Sequence, residues 1–511
     1  MATGIESSRW MQAVPRVIAD FIMVHLSMMA ALAVSLFYQL GTGRVAEAEA
    51  LASTFAHYYM GFFWLLSPIF PVVFYLNGFY TRARGYAGPY KSWVILRGVL
   101  IAVMAFYAVN YVFFGETRVG RSVSVPFVVV AGAALAGSRL AKGYLERRYE
   151  VRPKKPLAVV NSRGSVLVVG GAGYIGSLLV ERLLERGYHV RVLDMLLYGD
   201  ESLRDLRGRA DFELLVGDCR NIQDVVRAVQ GVDSVVHLAA IVGDPACELD
   251  RETALQINYA ATRMLIEVAK GQGVRRFLFA SSCSVYGATD LEMDENSHVQ
   301  PVSLYGRTKL ESEQALLAAR SHTFQPTILR YATVFGLSRR PRFDLVVNLL
   351  TAKARQEGVI TIYNGQQWRP FIHVRDLVEA TVRILEAPTT VVGGEIFNVG
   401  DSRLNHTLNQ IGEVIREVFP ETRVEYVENA DPRNYRVSFE KLRTRIGFRA
   451  RYALRDGILE IKRAFDEGLI EDYTDPRYHN HRLLRIAGSP STKGEFDRVL
   501  MKAFAARVGG G

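Results

Sequence analysis

Three cysteines (Cys219, Cys247 and Cys283) in 511 residues are too few for a disulfide framework, and their odd number fits a reducing compartment. No internal repeat or low-complexity tract is present, and no cluster of side chains reads as a metal site. At 49% hydrophobic and 22% charged residues, the chain is too apolar to be disordered, and its length suggests two to four domains. Acidic residues are scarce only in the first third. Residues 1–155 hold 16 Lys/Arg against 7 Asp/Glu, whereas residues 156–511 hold 46 against 45. The formal charge of +10 therefore belongs to the first third. A nucleic-acid-binding surface on the larger part is unsupported.

What the first third has instead is long apolar runs: Val17–Leu40, Phe55–Phe79, Trp93–Phe114 and Ser122–Leu140. A bilayer core of about 30 Å needs about 20 helical residues. Three runs reach that length and the fourth is marginal, which predicts an all-α transmembrane bundle over residues 1–150. The first run is too long for a signal peptide and three more come after it. Twelve Lys/Arg flank the spans on one side, from Arg9, Arg16, Arg82, Arg84 and Lys91 to the run Arg139–Lys155. Only Arg44, Arg118 and Arg121 lie on the other. This asymmetry predicts a multi-pass protein of the inner membrane with both termini, and the larger C-terminal part, in the cytoplasm. Pro68 and Pro71 should kink the second span. Asp20, His25 and Asn110 are read as interhelical hydrogen-bonding or interface residues. The segment Leu76-Asn-Gly-Phe-Tyr80 and the basic run after span four resemble the four-helix anchors of bacterial polyprenyl-phosphate sugar transferases and membrane-bound nucleotide-sugar dehydratases. Residues 151–164, with Pro and charge at the start and Gly at the end, read as a linker.

A different pattern begins at Ser165. The run Ser165–Val169 has strand character, and Gly170-Gly-Ala-Gly-Tyr-Ile-Gly176 comes at once, then a helical pattern over Ser177–Arg186. Strand, glycine turn and helix in that order let the backbone approach a pyrophosphate at a helix N-terminus. Asp194 ends the next strand, about 20 residues on, where a carboxylate accepts from an adenosine ribose hydroxyl. No Arg stands directly after it, so NAD is favoured over NADP as cofactor. Strand-like runs recur at Phe212–Val216, Ser234–Leu238 and Arg276–Ala280, separated by helical patterns, which predicts a Rossmann-like, doubly wound parallel sheet.

Residues 165 to about 475 resemble the extended short-chain dehydrogenase/reductases, the nucleotide-sugar epimerases and dehydratases. The matching pieces are the Gly170/Gly173/Gly176 loop, His237-Leu-Ala-Ala240, Asn258, Ser281-Ser282 with Val285-Tyr-Gly287, Tyr305-Gly-Arg-Thr-Lys309 and Arg369-Pro-Phe-Ile-His-Val-Arg-Asp376. The resemblance implies an α/β domain over 165–480 whose smaller C-terminal part binds a nucleotide-diphosphate sugar. It implies NAD contacts from Gly170, Gly173, Tyr174, Ile175, Gly176, Asp194, Asp218, Ala239, Asn258, Tyr305 and Lys309. Substrate contacts are expected from Asn348, Arg369 and Arg433, a planar guanidinium being suited to a diphosphate. Tyr305 and Lys309 stand at i and i+4 on one helix face. An ammonium and an oxidised nicotinamide beside the phenol should lower its pKa toward neutrality, so that Tyr305 takes a hydroxyl proton, with Ser282 sharing a hydrogen bond to the same oxygen.

By the same resemblance, 4,6-dehydratases carry Asp-Glu directly after the position of Ser282, and nucleotide-glucuronate decarboxylases keep the Glu. Here the two positions are Cys283 and Ser284. That leaves an epimerase, with C4 the tightest reading, a nucleotide-sugar dehydrogenase or a keto-sugar reductase. A non-catalytic, membrane-anchored NAD-binding scaffold is the reading from another class. The role of Cys283, core hydrophobe or acid/base, stays open. In the tail 481–511, Phe496–Ala506 reads as a short amphipathic helix against the domain or against a second subunit of a homodimer.

Overall fold

A computed structural model describes residues 3–42, 48–76, 89–113, 123, 125–135, 137, 163–429 and 433–488. The chain divides into two compact units, Met1–Lys154 and Lys155–Gly511. The side chains of the flanking and loop cations of the first unit, residues 77–80, the linker up to residue 162 and the segment Phe496–Ala506 lie outside the described residues.

The first unit holds helices Thr3–Gly41, Ala48–Leu76 and Pro89–Phe113, with a further helical stretch at 125–135. Val24, Met28, Phe70, Phe74, Phe106 and Phe127 pack together inside it. His25 and Asp20 are buried. His25 Nδ1 lies 3.1 Å from the Tyr59 hydroxyl and its Nε2 3.4 Å from Ser67 Oγ, joining the first two helices. The side chain of Asn110 is outside the described residues.

The four-span expectation is not met. Among the described residues one helix, Val17–Gly41, is long and apolar enough to cross a bilayer. Phe55–Gly61 and Leu66–Phe74 qualify only as a pair, bent by 47°. The bend lies just before Pro68 and Pro71, whose rings clash with carbonyls one turn back and whose nitrogens donate nothing. Arg97–Val109 and Val125–Leu135 are apolar but shorter than a span. An apolar run counted along the sequence takes no account of where a helix bends.

The second unit is built on a seven-stranded, all-parallel sheet. Its strands are β1 Ser165–Val169, β2 His189–Asp194, β3 Phe212–Val216, β4 Ser234–His237, β5 Arg276–Ser282, β6 Gln325–Tyr331 and β7 Ile396–Val399. Their spatial order is β7-β6-β5-β4-β1-β2-β3, so the chain reverses direction across the sheet between β1 and β4. β1, β4 and most of β5 are buried continuous runs, as strands covered by helices on both faces must be. Val169 of β1 pairs with His237 of β4, so the glycine turn and Leu238-Ala239 leave the sheet side by side at their C-terminal ends. That is where open parallel sheets bind ligands.

A smaller part is built from segments that follow β6 in the chain. It holds a three-stranded sheet of Thr333–Phe335, Trp368–His373 and Asn405–Thr407, and helices Val346–Gln356, Leu408–Val418 and Leu454–Asp466. Phe335, Val347, Ile360, Phe371, Ile411 and Ile458 form its core.

Candidate active site

The glycine turn is shaped by contacts that admit no side chain. A Cβ on Gly176 would lie 2.2 Å from the Gly170 carbonyl oxygen. Gly170 has φ +88°, and a Cβ there would lie 2.7 Å from the Ala239 nitrogen. These two glycines are needed for the turn itself. Gly173 differs: its nearest obstacle is the Gly170 oxygen at 3.4 Å. It caps helix Tyr174–Glu185 without any side-chain hydrogen bond. The helix start is thus left open toward a cavity of about 790 Å³, as an anion site at a helix N-terminus requires.

Asp194 faces the same cavity from the end of β2. Its carboxylate accepts from Ala172 N at 2.9 Å and Leu196 N at 2.8 Å, which leaves lone pairs for a ribose hydroxyl. Burial pushes its pKa up, against the pull of those two amides and Arg340. Glycine turn, uncapped helix start and a positioned carboxylate together fit NAD.

Ser303 caps helix Leu304–Ala319 by accepting from Gly306 N at 3.2 Å. Tyr305 therefore falls in the first turn and Lys309 one turn later, and both line the cavity. Lys309 is 2% exposed, and its Nζ donates to the Ala280 carbonyl at 2.8 Å, which ties the helix to β5. Burial lowers its pKa to about 8. Ser282, the last residue of β5, donates to Ser284 Oγ at 3.0 Å and lines the same cavity as the Tyr305 phenol. The expected lowering of the Tyr305 pKa is not produced by the protein alone. Burial pushes the phenol well above its ordinary value, outweighing Arg342 and Ser282. The physical reason is that the phenolate would be formed in a dry site, where desolvation exceeds the attraction of nearby cations.

The sequence-predicted residues sort into two groups. Gly170, Gly173, Tyr174, Ile175, Gly176, Asp194, Ala239, Ser282, Tyr305, Lys309 and Arg433 line the cavity. Asp218, Asn258, Asn348 and Arg369 do not, and each is engaged within the protein. Asp218 pairs with buried Arg220 at 2.7 Å. Asn258 accepts from Ile241 N at 2.8 Å and donates to Ile241 O at 2.9 Å, holding the loop after β4. Asn348, fully buried, binds both the N–H and the carbonyl of Gly336. Arg369 donates to the Trp368 carbonyl at 2.8 Å and to the Arg433 carbonyl, so it holds the segment that presents Arg433. Arg433 itself pairs with Asp244 at 2.7 Å, and both face the cavity. Cys283 is absent from the wall: it is 1% exposed, donates to the Arg330 carbonyl at 3.3 Å, and burial pushes its thiol well up. Ser284 does line the cavity.

Two sets of wall residues were not expected. Arg340 and Arg342 come from Ser338-Arg-Arg-Pro-Arg342, and Tyr473, His479, Asn480, His481 and Arg482 come from the C-terminal segment. The density of cations in the first was a usable signal. The second carries none, because its place at the site depends on contacts with residues more than 130 positions earlier in the chain.

A doubly wound parallel sheet, a glycine turn at its switch point and a Ser–Tyr–Lys group on the same cavity define a dinucleotide-binding domain on a short-chain dehydrogenase/reductase-like Rossmann fold. Residues 166–400 match the NAD dependent epimerase/dehydratase family. A protein from Bacillus subtilis described as an uncharacterized UDP-glucose epimerase is 33% identical over 180 residues, which are 35% of this chain and 56% of that protein. A UDP-glucuronate 4-epimerase from Thermodesulfobacterium geofontis is 28% identical over 42% of this chain and 67% of its own length. The chain thus spans between about half and two thirds of these two relatives. Among solved structures, a UDP-glucuronic acid 4-epimerase from Bacillus cereus in complex with UDP-glucuronic acid and NAD superposes with a TM-score of 0.55 at 26% identity, over 59% of this chain and 99% of that one.

Proposed function

We propose that residues 155–511 form an NAD-dependent nucleotide-sugar epimerase acting at C4 through a transient 4-keto sugar. The observation that carries this reading is the grouping of Ser282, Tyr305 and Lys309 on the cavity that also holds the glycine turn, with Ser284 rather than a carboxylate beside them. The similarity to UDP-glucose and UDP-glucuronate 4-epimerases supports it.

Bound NAD supplies a reversible hydride acceptor at the sugar carbon and a positive charge beside the phenol. Tyr305 takes the proton of the sugar hydroxyl and later returns it. Ser282 holds that hydroxyl and the phenol on one hydrogen-bonded line. Lys309, fixed by the Ala280 carbonyl, keeps the helix turn bearing Tyr305 in register with β5. Arg433 presents a guanidinium to the diphosphate of the nucleotide sugar, and Arg369 positions it. Asn258 fixes the loop after β4, whose residues Ala239–Asp244 line the cavity, and Asn348 fixes the loop after Phe335, whose Arg340 and Arg342 line it. With no acid at Cys283 or Ser284, elimination of the C6 hydroxyl lacks the carboxylate it needs, since a thiol or hydroxyl replaces one at neutral pH only with a large pKa shift.

The test is incubation of the purified chain with UDP-, GDP-, dTDP- and CDP-sugars and catalytic NAD, read by absorbance and mass spectrometry. An unchanged mass with altered sugar stereochemistry and no net NADH is expected. A product lighter by one water, or stoichiometric NADH, would replace this reading with a dehydratase or a dehydrogenase.

We further propose that the first unit anchors this enzyme to the inner membrane, with the second unit at the cytoplasmic face. Helix Val17–Gly41 supports a span, and large apolar side chains such as Phe37 and Trp64 point outward while Phe70 and Phe106 fill the interior. A bundle apolar on both its inner and its outer faces suits lipid rather than water. The basic run Arg139–Lys155 favours the cytoplasmic side for the second unit. Alkaline carbonate washing should leave the chain in the membrane pellet; release into the supernatant would refute the anchor.

A further inference from the structure

Arg340 is 8% exposed and lines the cavity. Its guanidinium carbon lies 3.8 Å from the centroid of the Tyr198 ring, and Tyr198 stands four residues beyond Asp194 on the loop after β2. One terminal nitrogen, Nη2, donates to Asn480 Oδ1 at 2.7 Å and to the Arg477 carbonyl at 3.4 Å. Its Nε is buried and has no hydrogen-bond partner among the described residues, and the same holds for the Tyr198 hydroxyl. A buried donor without a partner is destabilising, the more so when charged. Two such groups stacked on each other at a cavity wall are the arrangement expected where a ligand supplies the missing acceptors.

The location narrows the ligand. The Tyr174 hydroxyl, in the first turn after the glycine loop, donates to the Gly336 carbonyl at 2.7 Å. This bond draws the loop bearing Arg340 toward the uncapped helix start. Arg340 and that helix start line the same cavity, and a planar guanidinium suits phosphate oxygens. The C-terminal segment holds the arrangement at two points. Asn480 accepts from Arg340, and its own N–H donates to Asp344 Oδ2 at 3.1 Å, while Asp344 pairs with Arg342 at 2.8 Å. Asn480 lies 80 residues beyond the matched family segment.

We infer that Arg340, positioned by Asn480, binds the diphosphate of a bound nucleotide, and that its place beside Tyr198 and Asp194 makes this the diphosphate of the dinucleotide. Asn480 is a positioning residue, which brings the C-terminal segment into the binding site although it touches no phosphate itself. Arg340 takes this role only if the site holds a dinucleotide, as proposed for the enzyme.

The experiment titrates the full chain, purified in detergent, with NAD and separately with UDP by calorimetry. Arg340→Ala should weaken NAD binding roughly tenfold or more and leave UDP binding unchanged. Asn480→Ala should weaken NAD binding by a smaller factor, and Asn480→Asp, which keeps an acceptor oxygen for Arg340, should restore it. Should Arg340→Ala fail to fold, Arg340→Gln removes the charge while keeping a donor toward Asn480, and the same loss is expected. A loss of UDP affinity with unchanged NAD affinity would overturn the assignment to the dinucleotide. Unchanged affinity for both ligands would overturn the inference altogether. A wild-type chain that binds no NAD would instead sink the proposed function on which it rests.

Discussion

Lys309 directs its ammonium to the Ala280 carbonyl, 2.8 Å away, and passes 5.8 Å from the centroid of the Tyr305 ring one helical turn before it. The two side chains share one wall, yet burial moves them in opposite directions, the phenol up and the ammonium down. Both shifts oppose charge in a dry site. In the free protein the proton therefore stays on the phenol, and the general-base role proposed for Tyr305 depends on the charge of a bound cofactor.

Removing the phenolic oxygen should separate chemistry from binding. Tyr305→Phe is expected to cut turnover roughly 10²- to 10⁴-fold with nucleotide-sugar affinity nearly unchanged, as for loss of an acid/base. Arg433→Ala should do the reverse, raising KM more than it lowers kcat. Steady-state kinetics on the two variants checks this, and exchanged signatures would contradict the assignment.

Lys309 makes a pH signature expected in stability. An ordinary lysine has a pKa of about 10.4, whereas burial holds Lys309 at about 8. Below about pH 8 the lysine is charged in both folded and unfolded chains, and the cost of burying that charge is present in full. Between about 8 and 10 the unfolded chain binds a proton that the folded chain does not, so this group makes stability rise with pH. Lys309→Met lacks the effect. Urea denaturation of both proteins in detergent at about pH 7.5 and about pH 9.5, on either side of the folded-state value, should show the wild type gaining on the variant. Parallel profiles would show that the lysine is not depressed.

Much of this site was legible in the sequence because it is carried by local patterns. The β-branched run Ser165–Val169, the glycine turn and the i, i+4 pair Tyr305/Lys309 each fix their own backbone geometry. Placement across the fold was less legible. Asn348 and Arg369 stand in recognisable motifs, but tertiary hydrogen bonds commit them to Gly336 and Arg433 instead of the cavity wall. Arg340 is held at the site in part by Asn480, 140 residues later, and no periodicity encodes that contact. The first unit shows the limit from the other side: apolar composition is visible residue by residue, whereas the bend before Pro68 is a property of the folded helix.

Behind the catalytic helix lies a buried ion pair whose loss should be costly. Arg330 on β6 and Glu313 on helix Leu304–Ala319 are 2.7 Å apart, with side chains 4% and 2% exposed. Arg330 also donates to the Tyr286 hydroxyl at 3.1 Å, and Ser281 donates to Glu313. Arg330→Met leaves the carboxylate buried and unpaired, which should destabilise the domain by about 3–5 kcal/mol. The double variant Arg330→Met/Glu313→Met should recover much of that loss, because neither charge then remains. Thermal unfolding of the two single variants and the double variant measures the coupling; additive losses would show that the pair is not the source.

The last prediction concerns Cys283, which stands where related dehydratases are expected to carry an acid. A thiol acting on the sugar must reach the cavity and ionise near neutral pH. Cys283 does neither: it is packed in the core beside Val285 and Tyr286, donates to the Arg330 carbonyl, and burial pushes its pKa up. Ser284, the next residue, faces the cavity instead and is positioned by Ser282 at 3.0 Å. Cys283→Ala should therefore keep turnover within a few-fold of wild type and lower stability by about 1 kcal/mol, as an ordinary small core deletion does. Ser284→Ala, by contrast, removes a hydroxyl that Ser282 donates to, and should lower kcat by a larger factor with little change in Tm. Kinetics and melting curves on the two variants decide the matter. A collapse of turnover in Cys283→Ala with an unchanged Tm would make the thiol an acid/base after all, and would reopen epimerisation at C3 or C5 in place of C4.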